Sequence, residues 1–389
     1  VSVPTTAVPA VPADLLAGLA RLRAEVRDFL RGERAAGGYT PRADAWLAGW
    51  DEAFSRRLAE RGWVGMTLPE AYGGHGRSPL ERHAVTEELL AAGAPVAAHW
   101  IADRQIGPSL LRHGTEEQRQ RYLPGIAAGT CYFGIGMSEP DSGSDLASVR
   151  TRGTRTEGGW LVSGTKVWTS GAHHAHAFFV LARTSPVEEG GSRHAGLSQF
   201  IVPLDSPGVA IHPIRLLTGE HHFNEVVLDD VFVPDAMVLG TIGDGWRQVT
   251  SELAFERSGP ERFLSTYPLL AALAGELAQR GDGRGRRELG ALLARLAALR
   301  EMSLQVAATL AAGGSAEVQA AMVKDLGTRF EGDVADVARL LLEGEPDPTS
   351  PDPLTRLLAQ AILHTPGFTI RGGTNEILRG VVARSVGLR

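Results

Sequence analysis

The chain has 389 residues, of which 43% are hydrophobic and 22% charged, with a formal net charge of −6. This length gives room for two or three domains with cores of their own, and the negative balance excludes a general nucleic-acid binder, which needs a basic surface. Cys131 is the only cysteine, so neither an intrachain disulfide nor a cysteine metal cluster can form.

The opening VSVPTTAVPAVPADLL lacks the basic start and continuous apolar stretch of a signal peptide, so residues 1–12 read as a proline-punctuated tail. No apolar run reaches the ~20 residues that span a bilayer, and a cytoplasmic protein is expected. Residues 13–130 carry a helical period. LLAGLARLRAEVRDFLRGERA and ADAWLAGWDEAFSRRLAERGW repeat apolar residues at three and four. PLERHAVTEELLAAGAPVAAHWIADRQIGPSLLRHG predicts one or two long, largely buried helices. Thr115 predicts the N-cap of TEEQRQRYLPGIAAG, with Glu116 and Glu117 favoured in its first turn by the helix dipole.

The period changes near Cys131. Over residues 131–241, WLVSGTKVWTS, HAFFVLARTS, SQFIVPL, GVAIHPIRLL and EVVLDDVFVP are β-rich runs at close spacing, which predict an antiparallel sheet or small barrel. PVEEGGSRHAG reads as an exposed loop, and Asp229, Asp230 and Asp235 as turn residues. Over residues 242–389 helices return, with lengths suited to a four-helix bundle. EPDPTSPDP breaks them, because proline removes a helix donor, and a short last helix follows Thr374. The expected fold is α+β and multi-domain: an N-terminal helical domain, a central β-domain and a C-terminal bundle. No G-x-G-x-x-G follows a strand and opens a helix, so a Rossmann dinucleotide site is not supported.

Two segments carry chemistry. Met137-Ser138-Glu139-Pro140-Asp141-Ser142-Gly143-Ser144-Asp145 sits where helices hand over to strands. It reads either as a linking turn or as a cradle of N–H groups and hydroxyls for phosphates or the edge of a flat heterocycle. In Gly164-Thr165-Lys166-Val167-Trp168-Thr169-Ser170-Gly171, the tryptophan reads either as core or as a platform for a planar ring. His173, His174 and His176, and the pair His221-His222, have no carboxylate or cysteine at ligand spacing. They read as loop histidines between strands, with no metal.

In this order on an α–β–α chain, the two segments make the sequence resemble the acyl-CoA dehydrogenase family. The resemblance runs over nearly the whole chain, through VGMTLPEAYGGHG (Val64 to Gly76) to the terminal GGTNEILRG. It implies flavin adenine dinucleotide (FAD) held by the β-domain against the C-terminal helices. The implied cofactor-binding residues are Ile135, Met137, Ser138, Gly143, Ser144, Trp168, Thr169 and Ser170. Met137 and Ser138 would meet the pyrimidine edge, Ser144 the pyrophosphate and the acyl-CoA, Trp168 the ring, and Ser170 the region of N5. Ser138 and Ser170 stand where many relatives have threonine, which keeps the hydroxyl. Thr374, Asn375 and Glu376 match positions that close over the adenosine part. Arg286 is the candidate for an arginine lent to a neighbouring subunit's FAD. The family's Gln-x-x-Gly-Gly element is replaced by ARLLLEGEPDP.

The implied reaction is α,β-dehydrogenation of a thioester to a trans-2-enoyl product, with a carboxylate taking the α-proton and the flavin taking the β-hydride. Many members carry that base in a Glu-Gly-Thr segment. The match here is Arg371-Gly372-Gly373-Thr374, and glycine at 372 cannot be a base. A second family pattern places the base on the long helix after the β-domain, beside an arginine, as in Ala254-Phe255-Glu256-Arg257. Glu256 is therefore the expected base. Arg257, Arg371, Gly372 and Gly373, with Ser144, are the expected substrate-side residues. Arg371 either pairs with Glu256, meets a polar acyl group, or turns to solvent or to an FAD phosphate. The implied partners are an acyl-CoA, an electron-transferring flavoprotein and further copies in a homotetramer or homodimer. Alternatives on the same fold are an acyl-CoA oxidase, a carrier-protein thioester dehydrogenase, a flavin monooxygenase or nitroalkane-oxidising relative, and a non-catalytic subunit of a heteromeric dehydrogenase.

Overall fold

In the computed structural model, which describes residues 13–256 and 259–388, the element order is helical, then β, then helical. The first helices are α1 (Ala13–Ala35), α2 (Ala45–Ala48), α3 (Glu52–Glu60), α4 (Pro79–Ala91), α5 (Ala97–Ile101), α6 (Gly107–His113) and α7 (Glu116–Ala127). A π-helical turn, Ala102–Ile106, joins α5 to α6. The strands are β1 (Phe133–Gly136), β2 (Arg152–Thr156), β3 (Gly159–Lys166), β4 (Ala177–Arg183), β5 (Leu197–Pro203), β6 (Val209–Arg215), β7 (His221–Pro234) and β8 (Val238–Leu239). Then come α8 (Gly245–Glu256), α9 (Tyr267–Arg280), α10 (Gly283–Ala311), α11 (Glu317–Leu341), α12 (Pro353–Phe368) and α13 (Asn375–Ser385). Among the described residues no helix is long and apolar enough to cross a membrane.

The helix starts follow their caps. Thr115 accepts from the Gln118 N–H, and Gln118 returns a bond to the Thr115 N–H, a reciprocal cap on α7. Ser78 and Glu81 do the same for α4, with Pro79 at its first position.

The chain divides into two compact units. One comprises Val1–Trp50, Arg77–Val96 and Glu256–Arg389; the other comprises Asp51–Gly76 and Ala97–Phe255. The helices before the sheet are thus shared between them, and buried charge explains where α4 goes. Its Glu88 accepts from Arg27 at 2.7 and 2.8 Å and from Arg23 at 3.0 Å, both on α1. Its Glu87 pairs with Arg23 and with Arg300 of α10. Leu19, Leu80, Ala84, Ala307 and Ala308 close the same contact with apolar surface. Within this unit α11 buries a face that runs from Ala320 to Ala338. Gly327 is required there, because a Cβ would fall 2.3 Å from the Arg262 carbonyl oxygen.

The other unit is built on one eight-stranded sheet, ordered β6-β7-β3-β2-β4-β5-β8, with β1 beside β4. Most pairs are antiparallel, as the short connections demand. β1 and β4, however, run parallel, and β2 meets β4 in the same sense at Arg152 and Arg183. β1 arrives from a helix, and the chain loops out through the β2–β3 hairpin before β4, which supplies the crossover that parallel pairing needs. β4 and β5 are buried along nearly their whole length.

The expectation that Asp229 and Asp230 are turn residues is corrected. β7 runs through them, and both face the single residue Ser163 of β3 in a β-bulge on β7. Asp230 takes a left-handed φ of 45°, which a short polar residue tolerates, and bonds the Ser163 hydroxyl. His221 and His222 likewise open β7 and do not lie in a loop.

Candidate active site

In the sheet unit, the loop after β1 is held from below by an ion pair. Lys166, at the end of β3, is fully buried and donates to Glu139 Oε1 at 2.9 Å and to the Met137 carbonyl at 3.1 Å. Glu139 also accepts from the N–H groups of Arg150 at 2.7 Å and Thr151 at 2.9 Å. Burial pushes the Lys166 ammonium down to about 8. Burial acts to raise the Glu139 carboxyl, but Lys166 and the two N–H donors outweigh it and hold it below the usual carboxylate range. Glu139 and Ser142 exchange backbone bonds, and the Val167 N–H donates to the Ser138 carbonyl at 2.9 Å. The loop is therefore rigid. Its outer donors are nevertheless unspent: among the described residues, none engages the Ser138 or Ser144 hydroxyl.

Breaking that pair from one side leaves a buried carboxylate without its cation. Lys166→Met is expected to destabilise the protein by roughly 3 kcal/mol. Pairing it with Glu139→Gln is expected to recover part of the loss, because no buried charge remains. Urea denaturation of both variants checks this, and an unchanged midpoint for Lys166→Met would refute it.

Just beyond β3, Trp168 has a φ of 61° and is 54% exposed. A left-handed tryptophan is a backbone outlier of the kind kept at functional positions. Its ring meets Phe223 edge-on at 5.7 Å and leaves a face open. The core-tryptophan reading therefore fails; Trp160 fills that role at 8% exposure. Thr169 is buried, and its hydroxyl has no partner among the described residues. The Ser170 hydroxyl is also unspent among the described residues. A bare aromatic face in one segment with the Ser170 hydroxyl, and joined through Val167 to Ser138, fits a flat heterocycle with polar edges. Ile135 is half-buried at the end of β1, and Gly143 is open at the loop tip.

His173 and His174 lie in the turn after this segment, packed with His221. Among the described residues, no group of three or more histidine, cysteine or acidic side chains is arranged to hold a metal ion.

In the helical unit, the segment after α12 turns on glycine. Gly372 and Gly373 have φ values of 66° and 85°. A Cβ at 372 would lie 2.8 and 2.9 Å from the Arg262 guanidinium nitrogens, so any side chain there must displace a buried arginine. Thr374 caps α13 through the Ile377 N–H, and Glu376 is exposed in its first turn. Asn375 is buried and accepts from Lys324 at 2.7 Å and from Thr328 at 3.2 Å. Arg286 is exposed in the first turn of α10.

Arg371 departs from the expectation of a side chain turned to solvent. Its guanidinium lies between the rings of Trp46 (4.6 Å) and Phe368 (4.7 Å). It donates to Asp44 at 2.5 Å and to the Ser265 hydroxyl at 3.0 Å, with Glu331 at 4.0 Å. Asp44 also accepts from His364 Nδ1 at 3.2 Å. Burial acts to raise the Asp44 carboxyl, but Arg371 and His364 outweigh it and hold it far below the usual range. Burial pushes Glu331 up to about 7 and Lys324 down to about 7. Sequence reasoning found Arg371 but none of its partners.

Glu256 is the last residue of α8; its side chain, and Arg257 entirely, lie outside the described residues.

Comparisons with known proteins match nearly the whole chain. The family models for the acyl-CoA dehydrogenase N-terminal, middle and C-terminal domains match residues 19–130, 134–231 and 243–387. The acyl-CoA dehydrogenase IpdE1 of Mycobacterium tuberculosis is 38% identical over 381 residues, covering 94% of this chain and 96% of its own. Its counterpart in Mycolicibacterium smegmatis is 37% identical, covering 86% and 87%. Among solved structures, the Tcur3481-Tcur3483 steroid ACAD is 29% identical with a TM-score of 0.83, over 98% of this chain and 99% of that one. The ChsE4-ChsE5 complex of Mycobacterium tuberculosis is 27% identical with a TM-score of 0.80, over 98% and 99%. The chain belongs to the acyl-CoA dehydrogenase family, and it is an enzyme of that flavin-dependent class of oxidoreductases.

Proposed function

We propose that this chain dehydrogenates an acyl-CoA across its α and β carbons to a trans-2-enoyl-CoA. The observation that carries the reading is the sheet-side platform: Trp168 held out on a left-handed backbone, in one segment with Ser170 and next to the residue that bonds Ser138, with hydroxyls that no group among the described residues engages. FAD is the planar group this platform suits, and when bound it supplies the hydride acceptor. Met137 and Ser138 would hold the ring's polar edge, Ser144 the phosphate and thioester side, and Ser170 the reactive edge. Thr374, Glu376 and Arg286 are assigned to the nucleotide end.

Glu256 is the proposed base, with Arg257 as its orienting neighbour. A thioester α-proton is weakly acidic, so the carboxylate needs a water-excluded position and the carbonyl oxygen needs donors as charge builds on it. Gly372 and Gly373 supply a turn with no side chain on its own account, next to an Arg371 already engaged elsewhere. An electron-transferring flavoprotein is the proposed electron acceptor.

A second reading concerns assembly. The Tcur3481-Tcur3483 steroid ACAD and the ChsE4-ChsE5 complex each join two named components, which favours a heteromeric enzyme over the homo-oligomer expected from the sequence. It also makes ring-bearing acyl groups one arm of the substrate test. The test is anaerobic mixing of the FAD-loaded protein with straight, branched and ring-bearing acyl-CoAs, followed at the flavin band near ~450 nm. Bleaching by at least one of them is expected, with turnover when an artificial electron acceptor is added. A protein that neither carries nor takes up FAD would overturn the reading. Bleaching only by carrier-protein thioesters, or rapid reoxidation by oxygen, would redirect it.

A further inference from the structure

The segment that presents Trp168 and Ser170 is fastened to β7 by backbone bonds, among them Gly171 N–H to the His222 carbonyl at 2.8 Å, and by one side chain, Asn224. The Thr169 N–H donates to the backbone carbonyl of Asn224 at 3.0 Å, and the side-chain Nδ2 of Asn224 donates to the Thr169 carbonyl at 3.0 Å. The residue between the tryptophan and the serine is thus gripped at both of its backbone groups. Asn224 is fully buried, so its amide must find all its partners within the protein.

Those partners fix protonation states. The Thr169 carbonyl can only accept, so the amide atom facing it is the nitrogen. That same nitrogen lies 3.0 Å from His173 Nδ1, which must therefore also accept. His173 is then neutral, with its proton on Nε2. The amide oxygen faces His221 Nε2 at 2.8 Å, which must donate. The rings back each other: His173 stacks on His221 at 4.0 Å and leans on His174 at 4.0 Å.

We propose that Asn224 and His173 are positioning residues for the Trp168–Ser170 segment, and that they work only while His173 is neutral. This rests on the reading of that segment as the flavin-facing one and deepens it. A proton on His173 Nδ1 would set N–H against N–H. The amide would then either swing away from His173, stretching its bond to the Thr169 carbonyl, or turn over and set its oxygen against that carbonyl; in both cases the side-chain half of the grip on Thr169 is weakened and only the backbone bond keeps its strength. The surroundings favour the neutral ring. His174 lies in the same turn, His221 and His222 come from β7, and Glu52 of α3 acts on His174. Burial, with the neighbouring histidines, pushes His173 down to about 4.

The experiment uses the full chain with FAD, labelled with 15N-histidine. At pH 7, His173 is expected as the Nε2–H tautomer; a proton on its Nδ1 would overturn the proposal. Asn224→Asp replaces the donor by an acceptor, so His173 should become doubly protonated at pH 7. FAD should then bind about tenfold more weakly, the weight of one buried hydrogen bond. His173→Ala should weaken FAD similarly and alter the visible circular dichroism of the bound flavin. His173→Asn, whose carbonyl oxygen stands in for Nδ1, should restore both. Wild-type FAD affinity and flavin dichroism in Asn224→Asp and His173→Ala would overturn the proposal while the functional reading stands. A wild-type chain that takes up no FAD would overturn the functional reading itself, and the tautomer measurement would still decide the lock.

Discussion

Replacing Glu256 by glutamine is expected to leave FAD bound and to slow its reduction by acyl-CoA by about 10²–10⁴-fold, the usual weight of a positioned general base. The substitution keeps length and shape and removes only the ability to accept the α-proton, so a loss confined to the reductive step is the signature. Anaerobic stopped-flow at the flavin band measures it, and an unchanged rate would remove Glu256 from the chemistry. A companion variant sharpens the test. In Glu256→Gln combined with Gly372→Glu, the carboxylate is moved to the position used by many relatives. Here that position faces the buried Arg262 guanidinium, less than 3 Å from where a Cβ would stand. The added carboxylate would displace or pair with that arginine, so the double variant is expected to stay inactive. Recovery of flavin reduction would mean that the turn can open and that Arg262 is no barrier.

What could be read from the chain, and what could not, divides by sequence distance. The α7 cap was legible because Thr115 and Gln118 are three residues apart. The change to strands near Cys131 was legible because the hydrophobic period is local. Asp229 and Asp230 misled because a bulge and a turn draw on the same residues, and only the opposing Ser163 tells them apart. The two sheet-side segments were found by their order along the chain. Their fastening by Lys166 and Glu139 was not, since a lysine in a strand reads equally well as an edge residue facing water. Trp168 carried two readings until its left-handed φ and bare ring face were seen. Arg371 shows the limit most plainly. Its partner Asp44 lies 327 positions earlier in the chain, and no periodicity or motif links the two.

That long-range pair carries the other large expectation. Asp44→Asn should cost about 3–5 kcal/mol at pH 7, because it leaves the Arg371 guanidinium enclosed without its nearest counter-charge. The Asp44 carboxyl is depressed in the folded state. Its contribution is therefore complete above the ordinary carboxylate pKa near ~4 and fades as the pH falls below it. Glu331 has the opposite sign. Burial raises it from 4.5 to about 7, so the folded state holds a proton that the unfolded chain has released between those values. Stability contributed by Glu331 then falls by roughly 3 kcal/mol as the pH rises through that window. Glu331→Gln mimics the protonated form and should flatten the slope there. Lys324, lowered to about 7, contributes its own rise only above that window. The two carboxylates also share Arg371, at 2.5 and 4.0 Å. When Asp44 is removed, Glu331 can ionise and take over as its partner. The double variant Asp44→Asn with Glu331→Gln has no carboxylate left for Arg371, so it should lose about 1–3 kcal/mol more than the single losses sum to. Urea midpoints at pH 5 and pH 7 for the four proteins test this; additive losses would mean that Glu331 never stands in for Asp44.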